Sequence, residues 1–197
     1  KREHCRDTAC RVRFPLIKMY VMKRLLNYLM VLGVFILAGC SASKGTSSES
    51  DWVRVTNGNL WLTAEGDTVQ AHAPGFLRLG DTWYMVGEDR GREWRPDVNL
   101  YSSKDIQHWH FEKKIIENGV TSPDLGKSRM IERAKLLYNK KTKRFVVWCH
   151  WESSNYGASE AACFSSDKID GTYRLEWSGR PLGIKSRDCN VFVDSDG

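Results

Sequence analysis

The chain repeats itself, and no other feature limits its fold so strongly. YSSKDIQHWHF (Tyr101–Phe111) is echoed further on by FSSDKIDGTYRL (Phe164–Leu175). GFLRLGDTWYMV, from Gly75, is echoed by KLLYNKKTKRFVVW, from Lys135, at a similar offset. The opening strand then recurs once more as NVFVDSDG, from Asn190. Each copy is a set of short runs rich in aromatic and β-branched residues, separated by Gly, Asp, Lys and Asn. The runs are Gly75–Leu79, Thr82–Glu88, Val98–Ser103 and Trp109–Ile116, then Ala134–Asn139, Arg144–Trp151, Glu160–Ser166 and Thr172–Trp177. None keeps a helical apolar period, so the pattern reads as strands. Four short strands per repeat predict an all-β fold whose units are β-propeller blades. Two blades are complete by this reading. Cys189–Val193 opens a third as its first strand, running into the Asp194-Ser195-Asp196-Gly197 turn. A ring takes about four to eight blades, so the chain is expected to be a fragment of one.

Charge is uneven along the chain. The net charge is +6, and residues 1–39 hold eight Lys and Arg against two acids. The remaining residues balance at 22 of each sign. A phosphate-tracking surface needs a cationic patch on the folded domain, so no nucleic-acid partner is expected. The basic leader has its own logic. From Met22, Lys23 and Arg24 precede an apolar run, Leu25–Leu37, that is short for a membrane span and ends in small residues. Leu37-Ala38-Gly39-Cys40 resembles the bacterial lipobox, and the Ser-rich stretch after it reads as a tether. The expected organisation is an upstream extension (1–21), a lipoprotein signal peptide (22–39), a tether beginning at a lipidated Cys40 (40–51) and the partial propeller (52–197). That places the protein in the bacterial cell envelope, held to a membrane through Cys40. Cys149, Cys163 and Cys189 remain, without CxxC or zinc-type spacing. They read as buried thiols, with a Cys149–Cys163 bridge left open. No metal or cofactor is expected.

VQAHAPGFLRLGDTWYMVGED, YSSKDIQHWHFE, IERAKLLYNKKTKRFVVW, NYGASEAACFSSDKIDGTYR and SRDCNVFVDSDG together resemble glycoside hydrolase family 43, in its exo-1,3-β-galactanase-like branch. The resemblance spans Trp52 to Gly197 in order and spacing. It implies a five-bladed propeller and an inverting glycosidase, in which a general acid works opposite a base that activates water. This chain departs from the branch in reading HAPGF where the branch has His-Gly-Gly-Gly, and Ala134 where it has Pro.

The resemblance assigns Asp188 as the carboxylate that orients and tunes the general acid. It places Glu132 at the start of the second blade as a substrate-binding or catalytic carboxylate. Glu88 and Tyr156 match sugar-contacting positions, and Gln70 and His72 stand at the first blade's inner entrance. Residue chemistry alone leaves alternatives open: Asp188 as a turn cap, Glu132 as a surface ion pair with Arg133, and His72 as a core histidine. The family's general acid belongs to a later blade, so the chain alone is expected to be inactive. Eight tryptophans, all after Cys40, suit sugar faces and blade cores alike. The leading expectation is a hydrolase of β-galactan-like polysaccharide. The alternative is a non-catalytic glycan-binding surface lipoprotein, and a third reading is a docking propeller without sugar affinity.

Overall fold

A computed structural model describes residues 10–13, 52–91, 97–125 and 127–195. The chain divides into two compact units, Lys1–Thr56 and Asn57–Gly197. In the first, β1 (Cys10–Arg13) pairs antiparallel with β2 (Trp52–Val55), Cys10 opposite Val55. Part of the stretch set aside as upstream sequence thus forms a ladder, and Trp52–Val55 falls with it rather than with the repeats. The expected signal peptide, Cys40 and most of the tether lie outside the described residues.

The second unit holds two four-stranded antiparallel sheets, each laid out in chain order. One is β3 (His72–Leu79), β4 (Thr82–Glu88), β5 (Val98–Ser103) and β6 (His110–Ile116). The other is β7 (Arg129–Asn139), β8 (Arg144–Ser153), β9 (Glu160–Ser166) and β10 (Arg174–Gly179). Strands β4, β5 and β9 run as the sequence predicts. Strands β3 and β7 begin earlier than their apolar runs, at His72 rather than Gly75 and at Arg129 rather than Ala134, and those added residues carry the site described below.

Alternation along the strands places the core. Val86, Val98 and Leu100 of the first sheet face Ile131, Ala134, Leu136, Val147, Trp151 and Phe164 of the second in one buried cluster. Their neighbours Met85, Tyr101 and Trp109 form a smaller cluster on the first sheet's other face. Covering both faces is why Met85–Glu88 are buried without interruption. The innermost strands β3 and β7 approach so closely that a Cβ on Gly75 would lie 2.8 Å from the Lys135 Cα. Only a residue without a side chain admits that approach.

Cys189–Val193, predicted as the third blade's first strand, forms no ladder among the described residues. A strand is defined by its partner, and none of the described residues pairs with it. It nevertheless lies in the position the repeat requires. Residues 190–193 line a groove of about 380 Å³ together with β3 and β7. Cys149, Cys163 and Cys189 are free. In the β8–β9 ladder Cys149 faces Ala162 while Cys163 faces Trp148, so the two thiols leave opposite faces and cannot bridge.

Candidate functional site

The site is built by two matching β-bulges. Beyond the bulge, Gly75 pairs with Val86 and Lys135 with Trp148; before it, His72 pairs with Glu88 and Glu132 with His150. In each case the inner strand takes one more step than its partner between the same two pairs. The residue absorbing the difference is left-handed, Ala73 at φ 49° and Arg133 at φ 57°. A one-residue slip reverses which face a side chain leaves. The bulge therefore sets Glu132 opposite His150 rather than Trp151, and His72 opposite Glu88.

Four carboxylates meet here. Glu88 is fully buried. Its Oε2 accepts from Arg90 Nε at 2.8 Å, and its Oε1 accepts from the Arg133 backbone N–H at 2.7 Å. His72, half exposed, brings Nδ1 to 3.4 Å of Glu88 Oε2. Glu132 Oε1 accepts from the Tyr156 hydroxyl at 2.7 Å and from Arg90 at 3.3 Å. Its Oε2 lies 3.1 Å from His150 Nδ1. Asp188, exposed, pairs through Oδ2 with Arg133 at 2.9 Å, and its Oδ1 stands 3.9 Å from His150 Nδ1. Arg133 is thus the partner of Asp188, not of Glu132. It ties three segments together, because its backbone also caps Glu88.

Behind these, Glu152 is fully buried and sits 2.9 Å from His150 Nε2. Burial by itself would raise its pKa. Hydrogen bonds from the Ser153 N–H, from His150 and from the Ser159 N–H outweigh that and hold it at about 2. Tyr156 moves the other way. Its hydrogen bond to Glu132, reinforced by burial, pushes the phenol up to about 12. Its backbone is left-handed at φ 56°, and the Arg187 guanidinium stands 5.9 Å from the ring centroid. Lys135 turns its ammonium to the Ala73 carbonyl at 2.8 Å, and burial lowers its pKa.

Five of the six sequence-predicted site residues, Glu88, Glu132, Asp188, Tyr156 and His72, come together in this network. Gln70 is held differently: its backbone carbonyl accepts from Asn99 Nδ2 at 3.0 Å and its N–H donates to the Tyr101 hydroxyl at 2.9 Å. Sequence reasoning missed Arg90, Arg133, His150 and Glu152. Hairpin counting back from the Asn139–Arg144 turn would have set Glu132 against Trp151, and only the bulge exposes His150 as its partner. Among the described residues, no tryptophan supplies a platform in this network. Trp109 and Trp151 are core, while Trp148 and Trp177 stack on each other at 5.8 Å.

Two chain-ordered antiparallel sheets, packed by their faces with inner strands in contact, are blades of a β-propeller. Carboxylates of Glu88, Glu132 and Asp188, from successive repeats, gather beside the inner strands β3 and β7. Solved structures similar to the chain are glycosidases. An exo-β-1,3-galactanase from Clostridium thermocellum is 36% identical, with a TM-score of 0.66 over 73% of this chain and 33% of that one. An exo-β-1,3-galactanase from Phanerochaete chrysosporium, solved with β-1,3-galactotriose, is 33% identical, with a TM-score of 0.66 over 70% of this chain and 32% of that one. A family 43 β-1,3-galactosidase is 37% identical, with a TM-score of 0.65 over 71% of this chain and 31% of that one. The chain is similar to these glycoside hydrolase family 43-type enzymes and spans about a third of their length. No protein-family model matches it, and no curated protein does.

Proposed function

We propose that the chain supplies one side of the active site of an inverting glycoside hydrolase that acts on β-1,3-linked galactan. The observation that carries this reading is the meeting of Glu88, Glu132 and Asp188, from three successive repeats, beside the Tyr156 hydroxyl. The similarity to galactan-acting enzymes supports the substrate class.

Each group has a task that follows from its contacts. Glu88, with both oxygens engaged, fixes Arg90 and the Arg133 backbone and is a positioning residue. Glu132, partly exposed, is held by the Tyr156 hydroxyl and Arg90 through Oε1 and stands beside His150 through Oε2, a carboxylate placed to accept from a sugar hydroxyl. Tyr156 stays a neutral donor at all physiological pH, because its pKa is about 12. Asp188 adds negative charge that raises the pKa of a neighbouring acid. Ligand oxygens of Glu132 and Asp188 lie within 4.8 Å of each other. An inverting pair stands about 6.5–9.5 Å apart to admit water. These two therefore serve on one side of the sugar, and the proton donor comes from a later blade. Lipidation at Cys40 would hold this site at the bacterial cell envelope.

Calorimetric titration of the full chain with β-1,3-galactobiose tests the reading. Saturable binding, weakened at least tenfold in Glu132→Gln, is expected. Equal affinity for a glucose disaccharide, or no binding at all, would defeat it and favour a docking role. Incorporation of a labelled fatty acid in a bacterial host, lost in Cys40→Ser, tests the anchor separately.

A further inference from the structure

We infer that the chain associates with a second copy of itself, head to tail, by packing the uncovered face of its second sheet on the outer face of the other copy's first sheet. The repeat shows what each face of a blade packs against. In the first sheet Gly75, Val86 and Leu100 form one row across the ladder. Val86 and Leu100 are fully buried, because that row meets the second sheet. The matching row of the second sheet is Lys135, Trp148 and Cys163, continued by Trp177 on β10. Among the described residues no sheet lies on it. Trp148 and Cys163 are half-buried and Trp177 is 41% exposed. The two indoles stack across β9, 5.8 Å apart and 15° from parallel. Leu137 and Val146, which repeat the Leu77–Tyr84 pair, extend the same apolar face.

The chain itself shows what seals such a row. Leu136, Val147 and Phe164 cover the first sheet, and the register makes them equivalent to Phe76, Met85 and Tyr101. That second row, continued by Phe111, lies on the first sheet's outer face. Trp109, Val69 and Ala71 pack over its centre and bury Met85 and Tyr101, while Phe76 and Phe111 stay 46% and 49% exposed. Trp61, whose carbonyl accepts from the Val69 N–H at 2.9 Å, adds its part-exposed ring beside them. Each end of the two-blade stack therefore presents aromatic surface, and exposed apolar patches of this kind mark contact surfaces.

A second copy is the occupant because it carries the complementary row. The contact continues the interface already buried between the chain's own two sheets. Its two surfaces differ, so it is heterologous rather than isologous, and each copy can pass the step to the next. Two to four copies joined in this way bring together about four to eight blades, the range in which a propeller ring closes.

The contact does not depend on galactan binding. Sedimentation equilibrium of the full chain at up to about 100 µM tests it, a range in which micromolar association is visible. A mass about twice that of one chain or more is expected, and about 1 M NaCl should leave it intact, because the surfaces are apolar. Trp177→Glu and Phe76→Glu should each be monomeric. An equimolar mixture of the two should regain a one-to-one dimer, since each variant keeps the face that the other has lost. A monomeric wild type, dissociation by salt, assembly that survives either variant, or a mixture that stays monomeric would overturn the proposal. Pairing of two identical faces is excluded by the same test, as it would survive one of the variants. Circular dichroism checks the fold. Should Phe76→Glu or Trp177→Glu not fold, Leu60→Glu and Phe192→Glu, at positions 70% and 87% exposed, take their places with the same expected outcomes.

Discussion

Glu152 shows how one buried group can control a site without touching substrate. Its oxygens collect backbone N–H groups from Ser153, Ala158 and Ser159, so the loop after β8 is wrapped around a single carboxylate. Its pKa falls from an ordinary 4.5 to about 2. A depressed folded-state pKa contributes stability that is present above the ordinary value and lost as the pH falls towards the folded one. The size is about 3 kcal/mol, from the linkage between pKa and folding. Urea unfolding at pH 7 and pH 3 should show that loss in the wild type and a much flatter dependence in Glu152→Gln. Tyr156 gives a second check at this scale. Its hydroxyl should titrate near 12 by ¹³C NMR of labelled tyrosine, and Glu132→Gln should return it towards its usual 10.

At the scale of the strand, the paired bulges in β3 and β7 are what turn a hairpin into a site. Each places a non-glycine residue in the left-handed region, Ala73 and Arg133, where an L side chain crowds its own backbone. At Ala73 this strain should be relieved by glycine: Ala73→Gly is expected to be neutral or stabilising by up to about 1 kcal/mol. Two residues on, the sign reverses. Gly75→Ala would press a methyl against the Lys135 Cα and the Ala134 carbonyl, both backbone atoms that cannot step aside. A loss of roughly 1–3 kcal/mol is expected, as for other overpacked sites. Thermal unfolding of the two variants side by side would show opposite shifts.

Taken whole, the second unit gathers Glu88, Glu132 and Asp188 from successive repeats on one side of its inner edge. Full-length chain should bind β-1,3-galactooligosaccharides yet release no galactose, because inversion needs a proton donor across the sugar from the groups gathered here. Galactose release above the blank would refute that. Much of this was legible in the sequence. The internal repeat, the strand composition and the hairpin turns determined the two blades, since backbone pairing and alternation are local properties of such runs. The resemblance to glycoside hydrolase family 43, not the repeat, singled out Glu88, Glu132, Tyr156 and Asp188. What neither could determine was register beyond the bulge. That depends on one extra residue per inner strand, with no glycine to mark it. Tertiary structure alone therefore brought His150 rather than Trp151 to Glu132, gave Arg133 to Asp188 rather than to its neighbour, and left Cys189–Val193 beside the inner strands without a ladder. Pairing across the chain, unlike strand propensity, is decided by what packs against what.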